Sequence, residues 1–179
     1  MSRHTLARRL DRLLEGAALP PPENLYVLSG EDFRLDPRDV KPSGARLLEA
    51  CAAKGFNPDF VIVETLRRVL HGDENEAQDI RTFWRLLEPL HDHGRRAVMV
   101  SHHMSKPREG SNTRDRASGS GDIIGGADAS VSVLKTKKDG QERITIESQK
   151  LREADQWSPK SLRVMGTGET EPVRIESVA

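Results

Sequence analysis

Residues 60–75 read FVIVETLRRVLHGDEN, and this stretch decides the fold. Its first four residues form an apolar run without alternation, which ends at the charged Glu64. Such a run predicts a strand that is covered on both faces, as the strands of a parallel sheet are.

A helix and a second strand are predicted to follow this run. Apolar residues recur at helical spacing over residues 74–91, and Asp73 stands where it can cap the start of that helix. Residues 97–100 form another short apolar run, which ends at Ser101, His102 and His103. Strand, helix and strand in this order predict a βαβ unit, whose parallel sheet places ligands at the carboxyl ends of its strands.

Outside this unit the patterns predict helices at residues 6–17 and 43–54, a strand at 25–28, and a hairpin from 130–137 and 143–149. Residues 162–165 are a candidate edge strand, residues 104–126 a long exposed loop, and residues 166–179 a loose tail. The first helix carries arginines beside its leucines. Packing of its leucines on a sheet is the simplest interpretation, and binding to a membrane or to DNA stays open.

Composition limits the classes of protein that the chain can belong to. Its 179 residues suffice for one domain, and 28 basic residues balance 28 acidic residues, so no overall charge attracts nucleic acid. The single cysteine, Cys51, lies among apolar residues, cannot form an internal disulfide and is expected to be an inert thiol. No run predicts a membrane span or a signal peptide, so we expect a soluble, cytoplasmic protein.

The residues at the two strand ends allow more than one interpretation. An acidic residue such as Glu64 can hold Mg²⁺ beside phosphates. Strands also often end in a charged residue simply because the chain reaches solvent there. His102 and His103 could be metal ligands, structural residues or phosphate contacts. Because adjacent strand residues point to opposite faces, the two cannot easily share one zinc ion.

Taken together, the order of these parts resembles a family. Leu66, Arg67 and Arg68 follow Glu64, an Asp-Glu-Asn turn begins at Asp73, and Lys106 follows the two histidines. This arrangement is similar to the RecA-type ATPases that include the plasmid helicase RepA. The resemblance implies an α/β fold, a RecA-like three-layer sandwich with a parallel central sheet and a C-terminal antiparallel hairpin, over residues 1–165.

The resemblance also implies a function, an ATP-driven, ring-forming DNA replication helicase that uses Mg²⁺. Glu64 would be the Walker B acid, and His102 and His103 would sense the γ-phosphate. The loop would contact single-stranded DNA in the ring; its basic residues are Lys106, Arg108, Arg114 and Arg116. Lys150 and Arg152 would reach the nucleotide of a neighbouring subunit as an arginine finger. If the resemblance is set aside, the simpler interpretation is that the loop is only exposed to solvent and that the basic pair lies at an exposed strand end.

The sequence departs from the family pattern in several places. No Gly-x-x-x-x-Gly-Lys-Ser/Thr motif occurs, so the first strand and the phosphate-binding loop of the family are expected to be missing. Glu64 stands where aspartate is expected, and Ser118 where an Arg-Gly-Ser motif has arginine. A rival hypothesis is therefore a catalytically inactive subunit that packs on an intact ATPase or on DNA.

Overall fold

The computed structural model describes residues 3–28, 35–39, 42–91, 96–104, 119–138, 141–166 and 171–178. The described residues form two compact units, and each is described here by itself. One unit comprises residues 28–127, and the other comprises residues 1–27 and 128–179. Among the described residues, no helix has both the length and the apolar character to cross a membrane.

The first unit, residues 28–127, contains the βαβ arrangement. In chain order its elements are α2 (Ser43–Ala52), β1 (Phe60–Val63), α3 (Leu66–Val69), α4 (Ala77–His91), β2 (Ala97–Val100) and α5 (Asp122–Gly126). Strands β1 and β2 pair in parallel, with Phe60 opposite Ala97 and Val63 opposite Val100. The predicted strands and their parallel pairing are therefore confirmed.

Helix α4 supplies most of the core of this unit. Its buried residues lie at i, i+3 and i+4 spacing, so one face of the helix turns inward; they are Ile80, Phe83, Leu86, Leu87 and Leu90. Leucines of α2 and the inward residues of the strands, such as Val61 and Val98, pack against this face. Cys51 of α2 is half-buried, and this burial raises the pKa of its thiol, as expected for an inert cysteine.

The prediction that both faces of the parallel strands are covered was wrong. Phe60 is 52% exposed, Ile62 55% and Met99 47%, and exposed and half-buried residues alternate along β1 and β2. The strands pack on the described helices through one face only. An unbroken apolar run therefore did not distinguish a strand covered on two faces from one covered on a single face.

Two further predictions in this unit are corrected. Helix α4 begins at Ala77, not at residue 74, because the chain turns at residues 73–75 before it enters the helix. Residues 122–126 form the short helix α5, with Ile123 buried in the core, inside the stretch predicted as exposed loop. Two adjacent isoleucines in a glycine-rich stretch are too short a pattern to predict a helix.

The second unit consists of α1 (Arg3–Ala17) and a four-stranded antiparallel sheet. Its strands are β3 (Ala129–Lys138), β4 (Gln141–Leu151), β5 (Lys160–Met165) and β6 (Arg174–Val178), paired in that order. The helix lies against the chain just before β6, where Val173 donates its N–H to the Arg12 carbonyl at 2.9 Å. The predicted first helix and the hairpin are confirmed, although the turn at residues 139–140 lies outside the described residues.

The sheet differs from the predicted one in three respects. The hairpin belongs to its own sheet and does not extend the parallel pair β1–β2. Residues 162–165 lie in an inner strand, because β6 pairs with β5 within the region predicted as a loose tail. Residues 25–28 form no strand and are exposed, since their backbone has no partner strand among the described residues.

Candidate functional site

The ends of β1 and β2 bring the predicted site residue Glu64 and the segment that leads to His102 to one edge of the sheet. Val63 and Val100 are opposite each other in parallel strands, so Glu64 and Ser101 both leave the sheet at its carboxyl edge. Ser101 donates its N–H to the Val63 carbonyl at 2.9 Å, and its own carbonyl accepts the N–H of Leu66 at 2.9 Å. These two hydrogen bonds tie the segments that follow the strands to each other.

The side chains at this edge differ in burial. Glu64 and His103 are exposed, whereas His102 is half-buried, which fits adjacent residues that face different ways. The peptide bond between Glu64 and Thr65 is cis. No group of three His, Cys, Asp or Glu side chains in the described ranges is arranged to hold a metal ion. A cation here would therefore depend on ligand oxygens or water in addition to a protein carboxylate, as Mg²⁺ sites commonly do.

Ser101 is a candidate that sequence reasoning missed. Its hydroxyl oxygen is buried and has no hydrogen-bond partner within the described parts of the chain. A buried hydroxyl without a partner costs about 1–3 kcal/mol, so its presence at this edge suits a polar ligand that completes its hydrogen bonding. Nothing in the sequence marks this serine, because its burial depends on the packing around both strand ends.

The turn between α3 and α4 is built around the carboxylate of Asp73. The Asp73 carboxylate accepts hydrogen bonds from the backbone N–H of Asn75 at 2.9 Å and from its side-chain amide at 2.7 Å. These bonds lower the pKa of Asp73. The carboxylate therefore closes an Asx turn ahead of α4 and is not the cap that was predicted at the start of the helix.

Glu74, the next residue, connects this turn to two other segments. Its side chain is only 14% exposed, and one carboxylate oxygen lies 3.8 Å from Nη1 of Arg67 in α3. Its backbone carbonyl accepts the N–H of Ser120 at 2.7 Å. Gly119 has a φ of +93° and lies against this carbonyl, where a side chain would overlap it, so glycine permits the close approach.

Helix α4 fixes the segment after Ser120. Arg81 Nε donates to the Asp122 carboxylate at 2.8 Å, and the indole N–H of Trp84 donates to the Asp122 carbonyl at 3.2 Å. The chain on each side of residues 105–118 is bonded to the segment that follows β1. Ser101, before them, binds Leu66, and Ser120, after them, binds Glu74. The four predicted DNA contacts, Lys106, Arg108, Arg114 and Arg116, lie outside the described residues.

The predicted arginine-finger residues belong to the other unit. Lys150 lies near the end of β4, opposite Ser130 of β3, and Arg152 follows the strand. Arg152 Nη1 lies 2.6 Å from the Asp128 carboxylate, and its N–H donates to the Asp128 carbonyl at 3.0 Å. Both side chains of this ion pair are more than half exposed, so the pair contributes only about 0–1 kcal/mol and can exchange partners.

Comparison with protein families gives a match over the first part of the chain. A family model described as an AAA domain matches residues 1–109, which is more than half of the 179-residue chain. The matched region includes Glu64 and both histidines and ends before Lys150 and Arg152. No curated protein matches the chain.

Proposed function

Because this chain belongs to the AAA-domain family, whose function is of the ATPase type, we propose that it is part of a RecA-like ATPase of a DNA replication helicase. The observation that carries the proposal is the shared edge of Glu64 and Ser101, at the carboxyl ends of neighbouring parallel strands. Open α/β sheets bind their ligands at this edge. A nucleotide and its ion would lie there.

The residues at the edge suit a phosphate group with its cation. The exposed carboxylate of Glu64 can hold Mg²⁺ through water, with an arm one methylene longer than that of the aspartate in the family pattern. The buried Ser101 hydroxyl can donate to a phosphate oxygen, which would complete its hydrogen bonding. His102 can donate from its imidazole to the same group. When bound, Mg²⁺ would neutralise charge on the phosphates.

The remaining roles follow the resemblance. Lys106, Arg108, Arg114 and Arg116 would neutralise phosphates of single-stranded DNA, a contribution that depends on salt and not on sequence. In a ring, Lys150 and Arg152 would act on the nucleotide of a neighbouring subunit. The exposed pair of Arg152 with Asp128 is weak enough for the guanidinium to change partners.

A phosphate-binding loop would have to come from outside these 179 residues. The sequence contains no Gly-x-x-x-x-Gly-Lys-Ser/Thr motif, so no backbone cradle or phosphate lysine of that type is present in it. We therefore expect the chain alone to bind ATP weakly and to hydrolyse none. An assembly that includes an intact ATPase subunit would hydrolyse it.

The second candidate function is that of a catalytically inactive subunit that binds an intact ATPase or DNA. The lack of the phosphate-binding motif favours it, as do the exposed apolar residues Phe60, Ile62 and Met99 on β1 and β2. An exposed group of large apolar side chains is typical of a surface that a partner covers.

Nucleotide binding to the full chain distinguishes these candidates. We expect a fluorescent ATP analogue to bind in the presence of Mg²⁺ and to shift the amide NMR signals of Ser101 and His102. Glu64→Gln should weaken the binding by about tenfold, about 1.4 kcal/mol, because the ion loses its carboxylate. Glu88→Gln, an exposed change on α4, is the matched control and should have no effect.

The opposite result selects the second candidate. If millimolar Mg·ATP leaves the signals of Ser101 and His102 unchanged, or if both variants bind alike, the nucleotide site does not lie at this edge.

A further inference from the structure

One face of the sheet β3–β6 carries a row of polar and charged residues that crosses the strands. Thr136 of β3 is opposite Arg143 of β4, and Arg163 of β5 is opposite Glu176 of β6. The pairing of β4 with β5, continued by one residue, places Arg143 beside Arg163. Residues opposite each other in neighbouring strands share a face, so the two arginines are neighbours. Like charges in this position destabilise the sheet unless an anion lies near them.

Hydroxyl groups adjoin the two arginines on the same face. Thr145 of β4 and Ser161 of β5 are opposite each other in the adjacent row. The hydroxyl oxygens of Thr136 and Thr145 are 3.0 Å apart and share a hydrogen bond, so these two side chains point the same way. The five residues that we call the arginine–hydroxyl cluster are Thr136, Arg143, Thr145, Ser161 and Arg163. Guanidinium and hydroxyl groups are both hydrogen-bond donors to oxyanions.

Arg143 has a guanidinium nitrogen that is buried without a partner. The residue is half-buried, and its Nε has no hydrogen-bond acceptor within the described parts of the chain. An arginine that only packs its stem buries its methylene groups and keeps its nitrogen atoms in water. Here the buried atom is a charged N–H donor, which costs stability until an acceptor reaches it.

No acidic residue of the described strands is a direct neighbour of Arg143 on this face. Glu176 lies beyond Arg163, two strands and about 10 Å from Arg143, so it does not stand between the arginines. Glu147 is four residues along β4, about 13 Å away, and its carboxylate accepts the side-chain amide of Gln149 at 3.2 Å. Glu142 occupies a position on the opposite face. The immediate surroundings of Arg143 therefore provide hydrogen-bond donors and a second positive charge.

From these observations we propose that the arginine–hydroxyl cluster binds a phosphate group. An anion between the two guanidinium groups removes the repulsion between them, and rotation of the long Arg143 side chain can present Nε and a terminal nitrogen to one ligand. A carboxylate has two oxygens, which one guanidinium group satisfies. A phosphate group has enough oxygens for both arginines and for the Thr145 and Ser161 hydroxyls. The inference goes beyond the proposed ATPase role and uses no residue of the nucleotide site, so either can fail without the other.

The experiment follows phosphate binding to the full chain by NMR. Inorganic phosphate is titrated at constant ionic strength, and acetate is the carboxylate for comparison. The signals recorded are the Nε–H of Arg143 and the amides of Thr145 and Ser161. We expect saturable shifts with phosphate and at least about tenfold weaker binding of acetate.

A competition arm identifies the source of the phosphate group. A single-stranded oligonucleotide without terminal phosphates is added to the chain in the presence of inorganic phosphate. Displacement of the inorganic phosphate assigns the site to a nucleic-acid backbone, and retention assigns it to a small phosphate ligand.

Three substitutions in the cluster and one outside it test the residues involved. Arg143→Gln should weaken phosphate binding about tenfold or more, because the ligand loses one guanidinium group. Arg143→Lys, which keeps the charge but not the planar fork, should restore only part of the affinity. Ser161→Ala should weaken binding about threefold through a lost hydrogen bond. Lys160→Gln, exposed on the opposite face, removes the same charge and is the matched control.

Several outcomes would overturn the proposal. Shifts that do not saturate, equal binding of phosphate and acetate, or equal affinities of Arg143→Gln and Lys160→Gln would each remove the phosphate site. Circular dichroism checks that each variant folds. If Arg143→Gln does not fold, Ser161→Ala decides, and an unchanged affinity in that variant contradicts the site.

Discussion

Individual hydrogen-bonding groups near the ends of β1 and β2 have different surroundings. The Asp73 carboxylate is exposed and satisfied within its own turn by Asn75. The Ser101 hydroxyl is buried and has no partner in the described ranges. A polar ligand at the strand ends would therefore gain a hydrogen bond at Ser101, whereas the Asp73 carboxylate already has its partners within the turn.

The Asx turn should be visible in the titration of Asp73. Its pKa is lowered by hydrogen bonds from Asn75, so the carboxylate stabilises the turn above its unfolded pKa of about 3.9. This contribution is lost as the pH falls through the lower folded pKa. Asn75→Ala keeps the backbone N–H of residue 75 and removes only the side-chain amide, so it should move the pKa of Asp73 part of the way back towards the usual value, as followed by carboxyl NMR. A pKa that is the same in both proteins would show that the Asn75 side-chain amide does not bind Asp73 in solution.

Replacement of the single residue Arg152 tests the arginine-finger proposal. In an ATP-hydrolysing assembly that contains the chain, Arg152→Ala should lower turnover by about 10³-fold or more and leave nucleotide binding intact. The physical reason is that a finger stabilises charge that develops only in the transition state. Turnover and equilibrium binding are measured on the same assembly, with Arg174→Ala in β6 as the control. Unchanged turnover removes the assignment.

At the scale of elements, the contact of α4 with α5 depends on close packing. Trp84 packs edge-to-face on Phe83, with ring centroids 5.2 Å apart, and its indole N–H binds the Asp122 carbonyl. Gly126 lies against this indole so closely that any side chain would overlap it. The second half of α5 is therefore held against an aromatic ring that has little freedom to move.

Two neighbouring glycines of α5 give a matched pair of variants. Gly126→Ala should destabilise the protein by about 1–3 kcal/mol, because the new methyl group displaces Trp84. Gly125→Ala places its methyl group 4.0 Å from the Asp122 carboxylate and should be neutral or stabilise by up to about 1 kcal/mol. Urea unfolding followed by tryptophan fluorescence measures both. Equal effects of the two substitutions would contradict this packing.

At the scale of the whole molecule, apolar burial is concentrated in one unit. The buried apolar side chains of the described residues belong to residues 28–127, with α4 at their centre. The sheet β3–β6 has extensive backbone pairing, but Val131, Val133 and Ile175 on it are exposed, and none of its described apolar side chains is fully buried. Since apolar burial contributes most of the stability of a fold, the two units should differ in how readily they open.

Hydrogen exchange tests this difference. Amide protons of α4 should be the slowest to exchange, and those of β5 and β6 should exchange first, because local opening there exposes little buried apolar surface. Exchange measured by NMR or mass spectrometry at neutral pH gives the order. Protection of β6 equal to that of α4 would mean that the sheet is stabilised by contacts other than those of its described residues.

The sequence by itself determined the local elements whose patterns are long or contiguous. Residues 60–63 and 97–100 became the predicted strands, helical spacing gave α1 and α4, and alternation gave the hairpin β3–β4. It also determined that Glu64 and Ser101 share an edge, because a βαβ connection makes the strands parallel. These features depend on periodicity and chain connection, which neighbouring residues encode.

Only the tertiary structure decided which surfaces are covered and which distant groups meet. It exposed one face of β1 and β2, buried the Ser101 hydroxyl, joined Glu74 to Ser120 and formed β6 from a segment without a clear period. Each of these depends on contacts between residues far apart in the chain. Whether a residue is buried therefore depends on how the elements pack. A local sequence pattern shows only how strongly a residue type tends to be buried.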